Sequence, residues 1–194
     1  QQRKQEVLNQ LRAGIAALMK TNKIAVYSGT GTIVDRCHVS VRPESGEPVL
    51  LETDHILIAT GSVPACPPIP GADLPGVVTS DGLLDKQDMF GHLIIIGGGV
   101  IGMEFASIYS SLGHPVTVIE ALDRILPTMD KEIAQNLKMI MKKRNVDIHT
   151  GARVEEILRA GDGRGLACRF VEKDKAWEVT ADGILIATGR RAYT

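Results

Sequence analysis

Three glycines and one glutamate carry the clearest chemistry in this sequence. In "HLIIIGGGVIGMEFASIYSSLGHPVTVIE", Gly97, Gly99 and Gly102 satisfy G-x-G-x-x-G. The motif follows an apolar run and opens a helical pattern, which is the context that gives it meaning. Gly97 permits a sharp turn out of a strand. Gly99 has no Cβ, so a diphosphate can approach the backbone. Gly102 lets the helix pack closely on the sheet. The turn Gly97-Gly98-Gly99-Val100-Ile101-Gly102 would then aim free N–H groups and the positive end of a helix dipole at an anion. Glu120 ends the next apolar run, 18 residues after Gly102. A carboxylate there can accept hydrogen bonds from two adjacent ribose hydroxyls and repels a 2′-phosphate, so the pattern points to NAD over NADP. Arg124, four residues on, is read as a solvated surface charge.

The elements around the motif must hold it in register. "HLIII" reads as a strand buried on both faces of a parallel sheet. A helix follows, stopped by Gly113. "PVTVIE" is a second strand, and Asp130 caps a second helix whose apolar face is Ile133, Ala134, Leu137, Ile140 and Met141. "VDIHT" is a third strand. The order is βαβαβ, a mononucleotide-binding half. Beyond it, "ARVEEILR" and "GLACRFVE" flank a tight turn at "AGDGRG", and "AWEVT" precedes a last apolar run. Leu166, Cys168 and Phe170 alternate with polar residues, as do Trp177 and Val179, so one face of these strands is expected to be buried.

Upstream, Val7, Leu8, Leu11, Ile15, Leu18 and Met19 recur at helical spacing to about Lys20. Short β-like runs follow: "IAVYSG", "TIVD", "HVSVR", "VLLE" and "HILIAT". "SVPACPPIPGADLPG" then places five prolines in fifteen residues and reads as a stiff linker and domain boundary. The hexapeptide "ILIATG" occurs twice, at Ile56–Gly61 and Ile184–Gly189. One strand and turn used at two places calls for an explanation.

Composition excludes several classes. A formal net charge of -1 with acids and bases mixed along 194 residues leaves no electrostatic footprint for nucleic acid or an anionic membrane. No apolar run reaches a membrane span. Cys37, Cys66 and Cys168 form neither a disulfide framework nor a metal spacing nor a redox pair, and read as buried small hydrophobes in a cytoplasmic or other reducing intracellular compartment. The opening "QQRKQEVLNQ" has no initiator methionine, and "GRRAYT" closes the chain just after a strand. Both ends read as cut, so a fragment or excised domain is expected.

The stretches "GGGVIGMEFAS", "VTVIEALDRILPTMDKEIA" and "TGARVEEI", with both "ILIATG" copies, resemble the pyridine nucleotide-disulfide oxidoreductases over nearly the whole chain. Gly102 and Glu120 are the choices of its dihydrolipoamide-dehydrogenase-like members. The resemblance implies an α/β architecture in which a Rossmann-like NAD-binding domain with a β-meander is inserted into an FAD domain, here an incomplete helix and small sheet. The chain would cross between them at the two "ATG" strands. Residues 1–62 would be a partial FAD-binding segment, 63–183 the NAD-binding domain and 184–194 the return strand.

It further implies that Gly97 to Gly102 hold the NAD diphosphate and Glu120 the adenosine ribose. Val154 would line the adenine site, Gly189 would contact NAD at the return turn, and Glu104 would sit near the nicotinamide. On sequence alone Glu104 is equally a first-turn acid favoured by the helix dipole. Gly31, Thr60, Gly61 and Ser62 would be FAD contacts, although "SGTGT" taken bare is only a turn. The family's redox CxxxxC, its FAD glycine fingerprint and its C-terminal His-Glu pair have no match here. The five histidines (His38, His55, His92, His114, His149) fit none of those roles. No catalytic residue is therefore assigned, and no metal. Valine stands at position 100 where many relatives place a flavin-covering aromatic.

The implied parent oxidises dihydrolipoamide with NAD through FAD and is completed by the rest of the FAD domain and a dimerisation domain. A mercuric-reductase-like or transhydrogenase-like parent, or a stand-alone non-catalytic nucleotide-binding module, are the alternatives.

Overall fold

Apolar residues at three- and four-residue spacing make Gln2–Thr21 a helix, α1, closed by Asn22, whose side chain donates to the Leu18 carbonyl at 2.9 Å. The computed structural model describes residues 1–161, 163 and 165–194. They divide into two units, Gln1–Thr60 and Gly61–Thr194.

In the first unit α1 is followed by a three-stranded antiparallel meander, β1 (Thr30–Ile33), β2 (His38–Arg42) and β3 (Val49–Glu52), in that spatial order. The β1–β2 turn is held by the Asp35 carboxylate, which accepts from the Cys37 and His38 N–H groups at 2.8 and 2.9 Å. Val41 is the only buried residue in the whole unit. The apolar stripe of α1 faces outward, with Leu11 and Leu18 about 60% exposed. Two expected strands, "IAVYSG" and "HILIAT", do not form. No neighbouring strand pairs with either, and an unpaired extended run has no ladder to satisfy its backbone. Leu57 is 90% exposed.

The second unit begins with β4 (Ser62–Pro64) and the proline-rich segment, then β5 (Val77–Thr79) and a short helix α2 (Ser80–Asp85). There follow β6 (Leu93–Ile96), α3 (Val100–Ser111), β7 (Val116–Glu120), α4 (Lys131–Lys143) and β8 (Val146–Thr150). The rest is β: β9 (Ala152–Arg159), β10 (Leu166–Glu172), β11 (Lys175–Ala181), β12 (Gly183–Ile186) and β13 (Arg190–Ala192). Five strands form a parallel sheet in the order β5-β12-β6-β7-β8.

Alternation along β6 builds two cores from one strand. Leu93 and Ile95 enter a cluster with Met103, Ala106 and Tyr109 of α3 and Ala134 and Met141 of α4. Ile94 and Ile96 enter the opposite cluster with Ile157 of β9 and Leu166, Cys168 and Phe170 of β10. Both faces are covered, as an all-apolar parallel strand requires. The antiparallel meander β9–β10–β11 thus forms the second covering layer.

Several expectations change. The second "ILIATG" supplies β12, seated inside the sheet between β5 and β6, with Leu185 fully buried. Residues 184–186 therefore belong to this sheet, and only Arg190–Ala192 pair elsewhere, with β4. The proline-rich segment is fastened to the unit: Ala65 N–H donates to the Gly189 carbonyl (2.9 Å), and Ile157 N–H to the Pro70 carbonyl (2.8 Å). Cys168 is buried as expected, but Cys66 is exposed on that surface segment and Cys37 is half-buried. Burial pushes the Cys168 thiol up to about 12. Trp177 is 44% exposed, stacked on the buried Phe170 ring at 6.4 Å. On α4, Ala134 and Met141 are buried while Ile133 and Ile140 face outward. Asp130 caps that helix, accepting from Glu132 N–H at 2.8 Å. In the expected turn at "AGDGRG", Asp162 and Arg164 lie outside the described residues.

Candidate functional site

The C-terminal ends of β6, β7 and β12 open into a cleft of about 680 Å³. Ligand sites in open α/β folds lie at this edge, beyond the strand ends. Gly97, Gly99, Val100 and Ile101 of the glycine turn line it, together with Glu120, Val154 and Gly189. Residues as much as 92 positions apart are thereby gathered into one concavity.

Each glycine is there for a different reason. Gly97 has φ +111, a region that side chains disfavour, and a Cβ on it would strike the Ala187 carbonyl. Its N–H donates to the Ile119 carbonyl at 2.8 Å, so the turn is pinned to β7. Gly102 is buried, and a Cβ there would strike the Gly97 carbonyl. These two are required by the protein's own packing. Gly99 is the N-cap of α3 with φ -73 and ψ -174, a conformation any residue adopts. A Cβ on it would meet no protein atom within 4 Å. Nothing among the described residues requires glycine at 99; a group occupying the cleft would.

Glu120 is 8% exposed, yet its carboxylate has partners. Gly98 N–H donates to Oε2 (2.5 Å) and Leu122 N–H to Oε1 (2.8 Å). A carboxylate offers about four lone-pair sites. Two remain for hydroxyl donors in the cleft, and the glycine turn itself holds the acid in place. Gly98 contributes by this backbone bond, since it does not line the cleft. Arg124 is not solvated as expected: it is half-buried and its guanidinium donates to the Pro127 carbonyl at 2.9 Å, bracing the loop after β7.

Glu104 is exposed on α3 and outside the cleft lining. Gly31 is exposed on β1 and Thr60 is exposed at the end of the first unit. Gly61 opens the second unit with φ +77, and the Ser62 hydroxyl accepts from Arg190 Nε at 2.8 Å. Sequence reasoning missed Pro67, Ile69, Arg153 and Thr188, which also line the cleft. Thr188 was within reach of the repeated "ATG"; the others depend on tertiary packing. Among the described residues no group of three or more His, Cys, Asp or Glu side chains could hold a metal ion. No described helix is long and apolar enough to cross a membrane.

A glycine turn joining a parallel strand to a helix, with a buried acid at the next strand end, defines a Rossmann-like dinucleotide-binding fold. The chain belongs to the pyridine nucleotide-disulphide oxidoreductase family, whose sequence pattern matches residues 1–194. It is 37% identical over 194 residues to a dihydrolipoamide dehydrogenase of Chaetomium thermophilum, covering 98% of this chain and 38% of that protein. It is 39% identical over 194 residues to a dihydrolipoyl dehydrogenase of Acholeplasma laidlawii, covering 98% of this chain and 54% of that protein. Among solved structures, the HOCl-induced flavoprotein disulfide reductase RclA from Escherichia coli superposes with a TM-score of 0.81 at 34% identity, over 100% of this chain and 42% of that one. The chain thus spans roughly two fifths to a little over half the length of these relatives.

Proposed function

We propose that this chain is the NAD(H)-binding portion of a flavin-dependent dithiol/disulfide oxidoreductase, in which the full-length parent converts dihydrolipoamide and NAD to lipoamide and NADH. The observation that carries the dinucleotide reading is Gly99: glycine stands where the backbone and its neighbours do not ask for it, in the lining of a cleft and at the first turn of a helix. On this reading the free N–H groups of α3 receive the diphosphate. Glu120, oriented by Gly98 and Leu122, accepts from the adenosine ribose hydroxyls and repels a 2′-phosphate. Val154 borders the adenine and Gly189 the far end of the ligand. The bound nicotinamide supplies hydride transfer; the residues of this chain bind, orient and screen it from water.

The same test applied to FAD gives less. Among the described residues only the turn at 97–102 forms a glycine cradle over a helix N-terminus. Of the four FAD candidates, the Ser62 hydroxyl is already engaged by Arg190. FAD is therefore proposed as the parent's cofactor, with its diphosphate held by other residues, and this chain alone should not retain flavin through gel filtration. A stand-alone module is disfavoured by the first unit, where one buried valine cannot supply a core. The likeness to RclA, at 34% identity and a TM-score of 0.81, supports a second reading in which the parent works as a flavoprotein disulfide reductase.

The test is a fluorescence titration of the chain with NADH and NADPH. Saturable binding with NADH preferred supports the reading. Equal affinity for NADPH refutes the role given to Glu120, and no binding to folded protein refutes the site.

A further inference from the structure

The proline-rich segment between β4 and β5 forms a wall of the cleft that the glycine motif does not explain. It leaves Gly189, where Ala65 N–H donates to the Gly189 carbonyl (2.9 Å) and Thr188 Oγ1 donates to the Ala65 carbonyl (3.1 Å). It lands on β9, where Ile157 N–H donates to the Pro70 carbonyl (2.8 Å). A Cβ on Gly71 would strike the Ile157 carbonyl, so glycine there permits that close landing. Gly189 and Val154, three residues before Ile157, both line the cleft, and the segment is tied beside each. Between its anchors it presents Pro67 and Ile69 to the cleft.

The chemistry of that wall is unusual for a nucleotide site. Pro67, Pro68 and Pro70 have no N–H. The one remaining N–H, on Ile69, donates to the Pro67 carbonyl at 2.8 Å. From 67 to 70 the backbone thus has no free donor for a phosphate or a hydroxyl. Pro67 and Ile69 present half-buried hydrocarbon, and the segment is held at both ends. Such a surface suits the face of a flat ring better than a phosphate or a hydroxyl group.

We infer that Pro67 and Ile69 are the ring-binding wall of the cleft, against which a base of the bound dinucleotide rests. The inference rests on the dinucleotide reading and assigns to it residues outside the glycine motif. The adenine and the nicotinamide share the required chemistry, and the test separates them.

NADH is added to saturation to the chain carrying labelled isoleucine methyl groups, and ligand-to-protein nuclear Overhauser effects are recorded, with Ile69→Val identifying the Ile69 signal. Contacts are expected from the Ile69 methyl to ligand ring protons. Adenine H2 and H8 signals would place the adenine on the wall, and nicotinamide protons the nicotinamide. Pro67→Ala removes two methylenes and adds a donor without touching the core. It is expected to weaken NADH binding roughly fourfold to fifteenfold, with the melting temperature lowered by at most about 4 °C. Wild-type chain that binds NADH with no ring contact to Ile69, and with undiminished affinity in Pro67→Ala, overturns this inference and leaves the dinucleotide reading standing. Folded wild-type chain that binds no NADH overturns both.

Discussion

Replacing Gly99 with serine separates a glycine kept for a ligand from one kept for packing. Serine is a better N-cap than glycine for α3, because its hydroxyl can accept from the free N–H groups of the first turn. The backbone at 99 (φ -73, ψ -174) suits it, and no protein atom lies within 4 Å of the new Cβ. Folding stability is therefore expected to hold or rise by a few tenths of a kcal/mol. The new side chain instead enters the cleft where the diphosphate is placed. Forcing two heavy atoms into an occupied contact costs about 1–3 kcal/mol, which is roughly fivefold to 150-fold in affinity. Gly102→Ala is the control of opposite sign: its Cβ meets the Gly97 carbonyl and comes within 3.2 Å of Ile95 Cγ2. It should lower the melting temperature by about 2–4 °C for each kcal/mol of strain in a chain this size. The assays are thermal melts and NADH titrations of both variants. Gly99→Ser that binds NADH like the wild type would refute the diphosphate assignment, however well the fold survives.

Glu120→Gln keeps the shape but turns one acceptor into an NH2 group facing a backbone donor, because both carboxylate oxygens accept N–H bonds. Melting should show a loss of about 1–3 kcal/mol, and titration a narrowed preference for NADH over NADPH. His92 is held below its ordinary value of 6.5, chiefly by burial, with Asp182 and Asp147 pulling the other way. The folded state therefore resists protonating it, so its cost is absent above pH 6.5 and grows as pH falls below that value. The melting temperature of His92→Gln, which retains a partner for Thr117, should fall less steeply than the wild type between pH 7 and 5. Iodoacetamide at pH 8 should label exposed Cys66 in the native chain and spare Cys168, whose thiol is pushed up to about 12, until denaturant is added. Peptide mass spectrometry reads both sites, and native labelling of Cys168 would contradict its burial.

The two copies of "ILIATG" show what was legible in the sequence and what was not. Leu57 and Leu185 occupy the same place in the same hexapeptide, yet one is 90% exposed and the other fully buried. Local composition makes both competent strands; neighbours decide, and β12 has β5 and β6 while the first copy has none. The βαβαβ core was readable because β6 is apolar throughout, β7 is interrupted only by Thr117 before its terminal Glu120, α3 opens on the glycine motif and α4 begins at the Asp130 cap. Glu120 was readable from its distance to the glycines. Pro67, Ile69 and Arg153 were not, since their place in the cleft arises from where the segment before β5 and the first residues of β9 pack. Glu104, whose spacing is suggestive, is exposed on α3 and outside the cleft lining.

The ladder of β4 with β13 has a consequence for how protection against hydrogen exchange is graded across the unit. It is three residues long, and Arg190, Arg191 and Ala192 are all exposed. The Arg190 guanidinium bonds to the Ser62 hydroxyl and carbonyl, and these contacts face water. By contrast, Gly97 and Ala187 donate within the buried sheet, to Ile119 and Ile96 at 2.8 Å each. Openings that cost little free energy therefore start at the short ladder, in the amides of Ala65 and Tyr193, and stop at Ala187. Thr188 and Gly189 sit at that step. Amides at that end of the cleft are thus expected to exchange sooner than those of the glycine turn.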